Sequence, residues 1–136
     1  MIGLLPMVAE RVPWMQSRAD ALDRGAAFPI EEFDLLRGIG ALSPSLPVHG
    51  HAGVDELASL LSLVGQGNLS VGRVLEAHIN ALHLIARYGA TSTWHDDCLF
   101  GLWVTDPPQN GLRMRQDGSR ISPQVRGEDR RWRWAA

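Results

Sequence analysis

The sequence predicts a mainly α fold, an N-terminal helical up-down domain followed by a short β segment. Three observations carry this. Residues 69–89, LSVGRVLEAHINALHLIARYG, set apolar side chains at Val71, Val74, Leu75, Ile79, Leu82 and Ile85, and those steps of three and four make one stripe on a helix. Shorter stretches before it repeat that period. After Gly89 the period changes to that of strands. The predicted units are a helical domain over residues 1–96, the start of a β domain over 97–122, and an irregular tail over 123–136. Helices followed by strands read as α+β, or as a helical domain leading into a β domain.

Length and composition set the bounds. A chain of 136 residues, 45% hydrophobic, is one domain or one domain with part of a second. The net charge of −2 creates no global field toward nucleic acid or a membrane. Cys98 is the single cysteine, so no internal disulfide forms, which points to a reducing cytosol and a cytoplasmic location. No apolar run approaches the roughly 20 residues that span a bilayer. The opening MIGLLPMVAERVPW has no basic n-region, and Pro6 interrupts its apolar run, so a signal peptide is not expected. All 13 basic side chains are Arg.

Taken in order, Pro13 suits the first turn of a helix, where its missing N–H costs nothing. Trp14, Ala21 and Leu22 are expected inward, Arg18 and Asp20 outward, with Gly25 at the end. Residues 2–12 form either a separate turn or the same helix kinked at Pro13. FPIEEFDLLRG, residues 28–38, is a short helix with Pro29 in its first turn and Ile30, Phe33 and Leu36 inward. Its Glu31 and Glu32 suit the positive end of the macrodipole. ALSPSLPVHGHAG, residues 41–53, reads as a long loop. VDELASLLSLVGQG, residues 54–67, is a third helix with Leu57, Leu60, Leu61 and Val64 on its stripe. It should pack antiparallel on the long helix that follows a tight turn, whose start Asn68 or Ser70 caps and whose end Gly89 closes. LFGLWVT, residues 99–105, reads as a strand. LRMRQ, residues 112–116, alternates as a half-buried strand does. Asp117–Gly118 signals a hairpin, with SRIS returning.

Several residues invite chemical readings. His78 borders the apolar stripe and is best read as a hydrogen-bonded or half-exposed helix histidine. His78 and His83, five apart, point well away from each other and form no metal pair. His49 and His51 have no third ligand nearby, and WHDDC, residues 94–98, reads as a solvated turn. Cys98 lacks a legible base, so a buried structural thiol is the default. No metal site is assigned. Arg and Trp within residues 126–134 suggest nucleic acid, but a random or out-of-frame tail accounts for them better, so nucleic acid and membrane are not expected partners.

The chain resembles the N-terminal half of acyl-CoA dehydrogenases and their flavin-dependent relatives over about residues 10–122. The matching stretches are FPIEEFDLLRGIGALSPSLPVHGHAG, DELASLLSLVGQGNLSVGRVLEAHINALHLIARYG and GLWVTDP. In that family a Pro-started helix ends in a Gly-Leu-like step and a loop follows. Next come a helix pair around an Asp/Asn-x-Ser turn and a strand ending in Thr-Glu. The resemblance implies a fold like that family's N-terminal domain and an FAD-dependent oxidation of an acyl-CoA-type substrate. It further implies a homo-oligomer, or a missing C-terminal half. By the same resemblance Thr105 would hydrogen-bond the flavin, and Ala81, Leu82 and Ile85 would line the acyl channel.

Departures accompany the resemblance. The family's Thr-Glu-Pro-x-x-Gly-Ser-Asp run reads Thr105, Asp106, Pro107, Pro108 here, without the Ser-Asp that holds a pyrophosphate. The segment before that strand is shortened, and the domain carrying the catalytic carboxylate is absent. The chain alone is therefore expected to be inactive, and no catalytic residue is assigned. RGEDRRWRWAA can be encoded so that a one-base shift yields Ala-Ala-Lys-Ile-Val-Ala-Gly-Ala-Gly-Pro, close to a run of the family. Residues from about 123 onward then read as out-of-frame translation of a longer gene. The alternative function is a non-catalytic helical protein-interaction module.

Overall fold

A computed structural model describes residues 3–42, 51–88, 98–101, 112–117 and 120–125. The chain divides into two compact units, Met1–Leu102 and Trp103–Ala136. The described residues are mainly helical, as the sequence predicts.

The first unit holds α1 (Leu4–Ala9), α2 (Val12–Gly25), α3 (Ile30–Gly38), α4 (His51–Gly67) and α5 (Leu69–Tyr88). Of the two readings of the N-terminus, the separate turn is observed: α1 ends before Glu10, and α2 restarts with Pro13 in its first turn. Met15, Arg18 and Leu22, spaced three and four apart, form the inner edge of α2; Met15 is fully buried, and Ala21 lies in solvent. The expected inward set, Trp14, Ala21 and Leu22, is thus rotated toward Met15. The cause is Arg18, expected outward but turned toward α3, where Glu32 takes its Nε–H. Gly25 is the last helical residue of α2; Ala26 takes the left-handed φ of 46°, a conformation that costs an L-residue about 1–2 kcal/mol.

On α3, Phe33 and Leu36 are buried as expected, but Ile30 is 63% exposed and Glu32 fully buried. Gly40 follows with φ 83°, a left-handed position that glycine fills without strain. It turns Ala41 and Leu42 back into the core. The expected loop over 41–53 is cut short, because α4 already begins at His51; residues 43–50, with His49, lie outside the described residues.

Helix α4, not α5, carries most of the inter-helix packing, against α1, α2 and α5. Leu57, Leu60, Leu61, Leu63 and Val64 all join or border the core. Their spread around the helix gives α4 apolar positions for several neighbours. On α5 the buried positions are Val71, Leu75, His78, Ile79 and Ala81. Of the two candidate caps Asn68 acts: its Oδ1 accepts from the N–H of Ser70 at 2.9 Å and of Val71 at 3.2 Å. That supplies two of the four orphan donors of the helix start. Gly89 lies outside the described residues. Leu99–Gly101, expected to open a strand, has no strand pairing, because the Phe100 N–H is bonded to a side chain of α5 instead. Residues 102–105 lie outside the described residues.

The second unit contains the antiparallel hairpin β1 (Leu112–Asp117) and β2 (Arg120–Val125), with Leu112 opposite Val125 and Asp117 opposite Arg120. Strand β2 continues three residues past Ser122, through Pro123. Proline lacks an N–H, and an edge strand tolerates it.

Candidate functional site

Three places in the first unit bring chemically capable side chains together.

The first is His78, 1% exposed on α5. Its Nδ1 accepts the Phe100 N–H at 3.0 Å, which leaves Nε2 as the protonated nitrogen of a neutral ring. Nε2 lies 3.3 Å from the Leu42 carbonyl oxygen, an acceptor, so both bonds require the same tautomer. The Phe100 ring stacks on the imidazole, with centroids 5.8 Å apart and an interplanar angle of 11°. Burial pushes the His78 pKa down from its ordinary 6.5, against a smaller upward pull from the Leu42 carbonyl. The sequence reading of a hydrogen-bonded histidine is met, with full burial added. Nothing in the sequence near His78 announces Leu42 or Phe100, which lie 36 and 22 residues away.

The second place joins α2 and α3. Arg18 donates from Nε to Glu32 at 2.7 Å and from its NH2 group to Glu31 at 3.0 Å. Its guanidinium carbon lies 5.0 Å from the centre of the Trp14 ring, within cation–π range. The hydrogen bond to Glu32 is the main cause that raises the Arg18 pKa, so the guanidinium stays charged. Glu32 is fully buried, and its Oε2 has no hydrogen-bond partner. A buried carboxylate that loses its paired cation is costly to the fold, whereas an uncharged amide of the same shape is much less so. Arg18→Met is therefore expected to lower the melting temperature, and adding Glu32→Gln to recover part of that loss. Thermal denaturation of the two variants checks this; a double variant less stable than Arg18→Met contradicts it.

The third place is a cavity of about 150 Å³ lined by Leu22, Asp23, Ala26, Ala27, Pro29, Asn68 and Ser70. It sits where the C-terminal end of α2 meets the start of α5. Small-molecule sites usually occupy about 300–1,000 Å³, so this one suits only a small occupant.

The expected channel residues fall on the second half of α5. Ala81 is 7% exposed, while Leu82 and Ile85 are half-buried although they continue the line of Val71 and Leu75. Leu84 and Tyr88, four apart on a neighbouring strip, are 41% and 76% exposed. Thr105, the expected flavin contact, lies outside the described residues. Among the described residues no group of three His, Cys, Asp or Glu is placed to hold a metal, and no helix is long and apolar enough to cross a membrane. Cys98 is exposed, so it is not the buried thiol expected by default: residue 98 stands outside the edge that Leu99 and Phe100 bring inward. No chemical step through FAD is derived from the described residues. No family model, curated protein or solved structure matches the chain.

Proposed function

We propose that the chain is the N-terminal helical part of an FAD-dependent oxidoreductase of acyl-CoA dehydrogenase type, inactive until the remainder of the flavin site is supplied. The observation that carries this reading is the second half of α5. There Leu82 and Ile85 continue the core stripe yet remain half-buried, leaving apolar surface of the kind an acyl chain lies against. Supporting it, helices come first and strands after them, the order of a helical domain leading into a β domain. The Asn68-x-Ser70 turn between α4 and α5 is closed by the Asn68 side chain. In the complete protein Ala81, Leu82 and Ile85 would line the acyl channel, and Thr105 would meet the flavin. FAD supplies hydride acceptance when bound, and this part of the chain supplies the apolar wall. The substrate is an acyl thioester, and the active form is a homo-oligomer or a complex with the missing half. The cytoplasm is the proposed location.

Flavin titration tests this. The chain alone is expected to leave FAD fluorescence unchanged, and co-expression with the polypeptide encoded downstream is expected to give a yellow complex. A colourless co-expression product contradicts the proposal. A second reading, a helical interaction module without flavin, is favoured by the exposure of Leu84 and Tyr88 on one side of α5. Under that reading Leu84→Ser combined with Tyr88→Ser abolishes partner capture or self-association and no flavin effect is seen.

A further inference from the structure

Between α5 and the described segment Cys98–Gly101, the hydrogen bond and the ring contact converge on one imidazole, while Leu99 packs against the core cluster. His78 accepts the Phe100 N–H at Nδ1 and presents Nε2 to the Leu42 carbonyl, while the Phe100 ring covers its face. The arrangement works for a single protonation state. A neutral ring with its proton on Nε2 satisfies both partners. A doubly protonated ring turns Nδ1 from acceptor into donor and sets N–H against the Phe100 N–H. We propose that His78 is a proton-operated latch: the neutral imidazole holds residues 98–101 onto α5, and its protonation releases them while the helices stay folded.

Among the described residues, no charged group contributes to the balance of the His78 proton. On α5, Arg73 is paired with Glu76. On α3, Arg37 is bonded to Asp34, and Glu31 and Glu32 are engaged by Arg18. On α4, Asp55 is exposed and Glu56 half-buried near the helix start. On the latched segment Cys98 is exposed. The influences on the His78 proton are burial and the Leu42 carbonyl, burial being the larger. Because burial holds the folded-state pKa below the ordinary 6.5, the released or unfolded chain binds the proton first as pH falls. The latch is thus fully closed above about pH 6.5 and opens as pH drops toward the folded-state value. Residues 98–101 lie near the end of the first unit, Leu102, and the second unit begins at Trp103, so the device acts close in sequence to that boundary.

The chain's single cysteine offers the test without any substitution. A nitroxide spin label on Cys98 reports the motion of the segment, and circular dichroism reports the helices. Between about pH 8 and pH 5, the span in which histidine changes charge, the label is expected to pass from immobilised to mobile while the helical signal is retained. The mobile-to-immobile ratio should change by at most about tenfold per pH unit, the limit for one proton. In His78→Gln, which does not titrate, the spectrum should not vary with pH. Protection of the Phe100 amide against hydrogen exchange in the unsubstituted chain gives an independent readout, expected to fall over the same range. A pH-independent spectrum overturns the proposal. So does an equal transition in His78→Gln, or loss of the helical signal together with release.

Discussion

Leu75→Ala is expected to destabilise the helical unit by about 3 kcal/mol, within the 2–5 kcal/mol of a large-to-small core substitution. Leu75 is fully buried in a cluster with Leu36, Leu60, Val64, Val71 and Ile79. Removing its branched end takes apolar surface out of the core and leaves a void among side chains of α3, α4 and α5. The void is expected to persist, because its walls belong to different elements. Urea denaturation followed by circular dichroism measures the effect. Leu84→Ala, at a position 41% exposed, serves as the comparison and should change stability by no more than about 0.5 kcal/mol. Equal losses from the two substitutions contradict the placement of the core on the Leu75 side of α5.

Gly72→Leu is expected to cost about 1–3 kcal/mol, the range for overpacking a filled interior. A Cβ at Gly72 meets the Cα of Gly65 at 3.1 Å and its backbone N at 3.3 Å. Here α5 crosses α4 backbone to backbone, and backbone has little room to yield. The reciprocal position behaves otherwise. A Cβ at Gly65 meets nothing within 4 Å, so Gly65→Ala should gain up to about 0.8–1 kcal/mol of helix propensity. Two glycines seven residues apart thus carry opposite expected signs. If both substitutions stabilise, α4 and α5 do not approach one another as described.

Much of the helical unit was legible because its long segments repeat cleanly. Leu60, Val64, Val71, Leu75 and Ile79 all face inward where period and spacing place them. What was not legible depends on pairs distant in sequence. Arg18 reads as a solvated charge and Glu32 as a favourable partner of the helix dipole. Only when α2 and α3 meet does their bond bury Glu32 and leave Ile30 outside. The apolar pattern cannot reveal this, since periodicity scores Ile above Glu at any inward position. His78 was visible as a border residue, but its acceptor role depends on Leu42 and Phe100, both in segments with no regular period. Near Leu99 the strand signal of aromatic and branched residues competed with that side-chain bond, and the bond took the Phe100 N–H. The channel residues Ala81, Leu82 and Ile85 were legible only by resemblance, and Thr105 rests on the resemblance alone.

Whether this chain is part of a flavoenzyme is decided most directly by its coding DNA, read through and beyond codon 136. The expected result is a shifted frame that continues from about residue 123 with the family's β domain, then a helical domain bearing a carboxylate base. A coding sequence in which neither shifted frame continues that pattern contradicts the flavoenzyme assignment, and the exposed end of α5 then becomes the surface on which to seek a partner.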